Sequence, residues 1–152
     1  METEIKKIVE EFLNKAGLSF NNVSSDLDMD SGVFTFSIES LDSNYLIGKN
    51  GDNLFNISYL LKRIVDKKYG ESAPKISIDV NNYQKSKAEK IKTIAHMMSE
   101  RARFFKSKVE LEPMNAFERR VVHEYVSHHK DLKSESAGFG KDRHVTISFV
   151  KE

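Results

Sequence analysis

The chain has no cysteine and no tryptophan, and only 2 prolines among its 152 residues. Without cysteine there is no disulfide framework and no thiolate site for zinc or an iron–sulfur cluster. No apolar stretch approaches the roughly 18 residues that a bilayer-crossing helix needs. The first residues, Met-Glu-Thr-Glu-Ile-Lys-Lys, are charged where a signal peptide would have its apolar core. A cytoplasmic protein is the expectation. Repeats, low-complexity tracts and long linkers are absent too. So are the spacings of hydrolytic chemistry: there is no Ser/His/Asp order, no paired-carboxylate pattern and no phosphate-binding P-loop. His123, His128, His129 and Glu124 are close in sequence and raise a metal or phosphodiesterase reading. However, His123 and His128 are five apart, a poor fit to one helical face, and no H-E-x-x-H spacing occurs. No metal, no cofactor and no enzymatic activity are expected.

What is present is a soluble composition, 39% hydrophobic and 31% charged, long enough for one domain or two small ones. The formal net charge of +1 hides a step. Residues 1–45 hold 3 lysines against 9 acidic residues, a balance of −6. Residues 46–152 hold 21 basic against 14 acidic residues, a balance of +7. A polyanion partner for the basic part and a merely solvated surface both fit this segregation.

Hydrophobic periodicity gives an α+β order. Ile5, Ile8, Val9, Phe12, Leu13 and Ala16 predict a helix over 3–16, stopped at Gly17. Alternation in Val33–Glu39 and the Asp30-Ser31-Gly32 turn predict two antiparallel strands within 20–39. A helical turn over 41–47 leads into Gly48-Lys49-Asn50-Gly51. The next helix, about 51–69, carries Leu54, Ile57, Leu60, Leu61, Ile64 and Val65 and ends at Gly70. Lys62, Arg63, Lys67 and Lys68 cluster near its C-terminus, where the helix dipole favours cations. A strand over 74–80 points Ile76, Ile78 and Val80 inward.

The longest helix, 82–106, carries Ala88, Ile91, Ile94, Ala95, Met98, Ala102 and Phe105. Eight basic residues lie on or just past it: Lys85, Lys87, Lys90, Lys92, Arg101, Arg103, Lys106 and Lys108. They fit a phosphate-contacting ridge or a solvated connector between two lobes, and the connector is the simpler reading. A short strand over 109–111 follows. Asn115 is placed to cap a helix over 116–128 bearing Phe117, Val121, Val122, Tyr125 and Val126. Residues 131–136 are polar and extended, Gly138-Phe139-Gly140 is a turn, and 144–150 is a closing strand on which His144 is expected to face solvent.

Two features carry chemistry. The Gly48–Gly51 turn precedes a helix whose free N–H groups and positive dipole end point back at it. Glycines let another backbone approach closely. With Lys49 between them, the turn suits a phosphodiester backbone, although two glycines three apart also make an ordinary helix entry. Further on, Arg119 and His123 are four apart and share a helical face. Both side chains can donate to phosphate and stack on bases, although a surface pair would have the same spacing.

Taken together, the order helix, strand, strand, short helix, Gly-x-x-Gly, helix, strand resembles a KH domain of the prokaryotic (type II) arrangement. The string Val109-Glu110-Leu111-Glu112-Pro113-Met114-Asn115-Ala116-Phe117-Glu118-Arg119-Arg120-Val121-Val122-His123 resembles the C-terminal Arg-x-x-x-His domain of the bacterial Jag family. Asp79-Val80-Asn81-Asn82-Tyr83 is similar to that family's interdomain junction, and Ser134 to Arg143 to the glycine-containing loop before its last strand. The resemblance implies a KH domain over 1–81, an Arg-x-x-x-His domain over 82–152, and a long joining helix. It also implies non-catalytic binding of single-stranded RNA, or single-stranded DNA, and RNA-level regulation of cell-envelope or division processes.

In a KH domain the Gly-x-x-Gly loop clamps the backbone of about four nucleotides, and an adjacent apolar groove takes the bases. The implied contacts are Gly48, Lys49, Asn50 and Gly51 on phosphate, and Ile47, Leu54 and Ile57 along the groove. Arg119 and His123 supply a second contact, with Arg120, Lys141 and Arg143 as supporting cations. Asn50 stands where a second basic residue is common, and Phe139 where an acidic one is usual. The alternative is a protein-interaction adaptor that forms a homodimer, or a heterodimer with a small stand-alone KH protein, through the KH domain.

Overall fold

The computed structural model of the chain describes residues 1–151. In α1 (Glu2–Lys15), Ile5, Val9 and Leu13 are buried at steps of four, so one narrow face of the helix packs inward. β1 (Asn22–Asp28) and β2 (Val33–Glu39) form an antiparallel hairpin paired from Asn22↔Glu39 to Asp28↔Val33. The Asp28 carboxylate braces its turn, accepting from the Ser31 hydroxyl at 2.7 Å and the Asp30 N–H at 2.9 Å. β3 (Lys75–Val80) lies parallel to β2, and the sheet order is β1-β2-β3.

A parallel pair cannot be joined by a tight turn and needs a crossover. Here the crossover is α2 (Ser43–Ile47), the glycine turn and α3 (Asp52–Tyr69). The turn therefore sits between two helices of one crossover. Beneath it is a core of Phe36 and Ile38 from β2, Ile76, Ile78 and Val80 from β3, and Leu54, Ile57, Leu61 and Val65 from α3.

The buried face of α3 is narrower than its sequence implies. Leu60 and Ile64 were expected among the core residues but are 48% and 40% exposed. A stripe at steps of three, four and four already fills the contact with the sheet. The two extra apolar residues fall to its side, next to exposed Phe55 and Tyr59.

Compact units divide after Lys85 rather than after residue 81 as expected. The reason is local. α4 (Tyr83–Phe105) begins on the first unit, because the buried Asp79 carboxylate accepts from the N–H groups of Gln84 at 2.9 Å and Lys85 at 3.3 Å. A carboxylate on those free N–H groups is a helix cap. Asn81, at φ 48°, turns the chain and pairs its side-chain amide with both backbone groups of Ser40, at 3.0 and 2.8 Å. Tyr83 packs on the first core. The junction motif thus ties the first turn of α4 to the first unit.

In the second unit, β4 (Lys108–Glu110) and β5 (Leu132–Ala137) flank β6 (His144–Phe149), both antiparallel to it. The polar segment expected only to be extended is thus an edge strand. α5 (Ala116–Ser127) opens with a complete capping box: the Asn115 side chain accepts from the Glu118 N–H at 2.9 Å, and the Glu118 carboxylate accepts from the Asn115 N–H at 2.8 Å. The core joins Ile91, Ala95 and Ala102 of α4 with Val121, Val122 and Val126 of α5, Leu132 of β5, and Val145 and Ile147 of β6.

Within α4, Ile94 and Phe105 were expected in the stripe but are exposed, while Ser99 is fully buried. Small side chains at 95, 99 and 102 make the buried face. Of the eight basic residues on and just past α4, three have carboxylate partners: Lys87 with Glu118, Lys92 with Glu89, and Arg103 with Asp131 and Glu100. Among the described residues, no helix is long and apolar enough to cross a membrane.

Candidate nucleic-acid interface

Backbone geometry explains each residue of the first turn. Gly48 has φ 71° and ψ −175°, a combination open almost only to glycine. A Cβ there would stand 2.6 Å from Asn53 Cγ. Asn53 lies over the turn because its amide donates to the Tyr45 carbonyl at 2.8 Å, bracing α2 against α3. Asn50 is left-handed, at φ 55° and ψ 21°. Asparagine tolerates that region far better than lysine or arginine does, which accounts for the missing second basic residue. Gly51 is also left-handed and caps α3. Lys49 and Asn50 are exposed.

Of the three residues expected to line an apolar groove beside the turn, Ile47 is half-buried, whereas Leu54 and Ile57 are only 1% and 8% exposed. The last two belong to the core and hold α3 in place under the turn. They present almost no surface to a base, because the α3 stripe that faces the sheet is the one that contains them.

On α5, Arg119 Nη1 donates to the Met114 carbonyl at 2.6 Å, and the Met114 N–H donates to the Arg143 carbonyl at 3.1 Å. Arg143 Nη1 in turn donates to the Gly138 carbonyl at 2.9 Å. The two guanidiniums are thereby held around His123. The ring of His123 is half-buried, and its nitrogens are not open as expected. Nδ1 is 2.7 Å from the Ser134 hydroxyl and Nε2 is 2.8 Å from the Ser136 hydroxyl. Either tautomer is satisfied, since a hydroxyl both donates and accepts. Arg120 and Lys141 are exposed and lie outside this hydrogen-bonded cluster. His144, expected to face solvent, is half-buried, its Nδ1 donating to the Asp142 carbonyl at 2.9 Å.

Residues 89–149 match the family model of the Arg-x-x-x-His domain. The match covers α5 with Arg119 and His123, and it includes β5 and β6. The chain is also similar to curated proteins named RNA-binding protein KhpB. One, from Clostridium symbiosum, is 29% identical over 145 residues, 93% of this chain and 65% of that protein. Another, from Bacillus subtilis (strain 168), is 30% identical over 105 residues, 68% of this chain and 50% of that protein. A third, from Lactiplantibacillus plantarum, is 27% identical over 131 residues, 85% of this chain and 40% of that protein. The chain therefore spans under two thirds of each relative's length.

Ser134 and Ser136 are the site residues that sequence reasoning passed over. Their signal was the alternation Leu132/Ser134/Ser136, which puts three side chains on one face of a strand. Leu132 enters the core, and the two serines then meet His123. Among the described residues no three His, Asp or Glu side chains come together as a metal site. His129 instead stands 3.2 Å from Arg103 Nη2, and Arg103 grips Asp131 through two bonds of 2.6 and 2.9 Å. That contact holds the Asp131 carboxyl below the usual carboxylate range.

His123 is held below the ordinary imidazole value, first by burial and then by the charges of Arg119 and Arg143. It is neutral at pH 7. Unfolding returns the ring to water, where it titrates near about 6.5. Below that pH the unfolded chain binds more protons than the folded one, so stability falls as pH drops toward the folded value and then levels off. Melting curves between about pH 7.5 and 5 are expected to show this slope, and His123→Gln to remove most of it. A slope that the substitution leaves unchanged would show that the ring does not titrate as its surroundings require.

Proposed function

We propose that this chain is a non-catalytic binder of single-stranded RNA. The first unit is a type II KH domain whose Gly48–Gly51 backbone and Lys49 hold phosphates, with half-buried Ile47 beside them. Leu54 and Ile57 act from below by fixing the helix. In the second unit Arg119 and Arg143 form a cationic face that the neutral His123 and its two serines hold in shape, with Arg120 and Lys141 as outlying cations. Two modest sites on one chain add through effective concentration, and α4 is the joining helix of this reading. The bound RNA would be a transcript of cell-envelope or division processes in the cytoplasm.

The observation that carries the proposal is the Gly48–Gly51 turn. Its backbone is held open by the Asn53 brace and bears an exposed Lys49. It occurs in a chain similar over 93% of its length to a protein named RNA-binding. Fluorescence anisotropy with a labelled 20-nucleotide RNA tests it. Binding that weakens with salt and prefers the single strand to the duplex is expected. Absence of binding at low salt would overturn it, and equal or tighter binding of single-stranded DNA would move the ligand from RNA to DNA.

A second reading has one observation in its favour. Phe55, Tyr59, Leu60 and Ile64 are exposed together along α3. A protein-interaction adaptor could pair two such helices, in a homodimer or with a small KH partner. A dimer on a sizing column, together with no RNA binding, would favour it.

A further inference from the structure

The cluster around His123 has cations but no open ring, since His123 is half-buried with both nitrogens bonded. Recognition of a single strand needs a flat apolar surface as well as charge, because unpaired bases stack on side-chain rings. The turn that carries Arg143 supplies one. Phe139 is 90% exposed, and among the described residues no other ring touches it. By contrast Phe104 and Phe105, the other strongly exposed phenylalanines of this unit, pack on each other with centroids 5.0 Å apart.

The turn is built to hold Phe139 still. The Arg143 guanidinium bonds the Gly138 carbonyl at 2.9 Å, and the Asp142 N–H bonds the Phe139 carbonyl at 3.2 Å. Gly138 has φ 81°, and a Cβ on it would stand 2.9 Å from the Asp142 carbonyl oxygen, so the two arms of the turn are in contact. Phe139 itself is extended, at φ −133° and ψ 149°, with no backbone strain. A ring fixed outward in this way loses little freedom when a base covers it. Lys141, two residues on, and Arg143 place positive charge within the same turn.

We propose that Phe139 is a base-stacking platform, and that the second unit reads its nucleic acid by placing one unpaired nucleobase on this ring while Arg119, Lys141 and Arg143 hold the neighbouring phosphates. This rests on the nucleic-acid reading above and adds to it the residue that meets the base.

The chain's lack of tryptophan makes the test direct. Phe139→Trp creates a sole indole, and Phe104→Trp is its control on the same unit. Titrating the full chain with octaadenylate is expected to quench the indole at 139 and to leave that at 104 unaffected. Phe139→Ala should weaken octaadenylate binding by about 5- to 100-fold, with Phe139→Tyr close to wild type. Because no charge is removed, the salt dependence should keep its slope. An exposed ring contributes nothing to the core, so the melting temperature should not move. Unchanged affinity in Phe139→Ala, or equal quenching at 104 and 139, would overturn the platform while leaving RNA binding intact. Failure of the wild-type chain to bind octaadenylate or the longer RNA would overturn both.

Discussion

Lys49→Asp combined with Asn50→Asp is expected to lower affinity for single-stranded RNA by more than about tenfold at moderate salt, with little change in melting temperature. Folding should be unaffected on geometric grounds. Both side chains are exposed, and position 50 is left-handed, a conformation that aspartate tolerates much as asparagine does. The loss is therefore electrostatic. One cation disappears and two anions appear where a phosphate must come close to backbone N–H groups. The logarithmic salt slope should fall by about 1 for the lost lysine contact. Titration of the labelled RNA at three salt concentrations measures both effects. An affinity within twofold of wild type would remove the first turn from the binding surface.

Gly48→Ala should act on folding as well as on binding. A residue with a side chain is strained at φ 71° and ψ −175°, and the new Cβ would displace Asn53, whose amide braces Tyr45. Strain in that region and one lost hydrogen bond together cost about 2–4 kcal/mol of first-unit stability. Urea denaturation checks the figure. In an Asn53→Ala background the same substitution should cost less, because the obstructing side chain is gone. Equal cost in both backgrounds would mean that the close approach to Asn53 plays no part in the turn.

Element order was legible because each element declares itself locally. The α1 stripe, the Val33–Glu39 alternation and the Asn115 cap are all short-range signals, and all lie where the pattern puts them. Sidedness was less legible. Leu60, Ile64, Ile94 and Phe105 satisfy helical periodicity yet remain exposed, because the width of a buried face is set by what packs on it. The same limit affected the site. Leu54 and Ile57 lie near the glycine turn in sequence, but the sheet beneath claims them. His123 shares a helical face with Arg119, but its nitrogens are taken by two serines on a strand that a polar sequence does not announce. Chemistry that depends on residue type and local backbone was visible. Chemistry that depends on a distant partner was not.

The central claim is that single-stranded RNA contacts the glycine turn and the Arg119–His123 face. Amide chemical-shift mapping of the labelled chain during titration with a 20-nucleotide RNA tests it most directly. The account predicts saturable shifts at residues 48–53 and at residues 119–123 and 134–143, with the exposed face of α3 quiet. Shifts confined to Phe55, Tyr59, Leu60 and Ile64, or no shifts at the glycine turn, would contradict it.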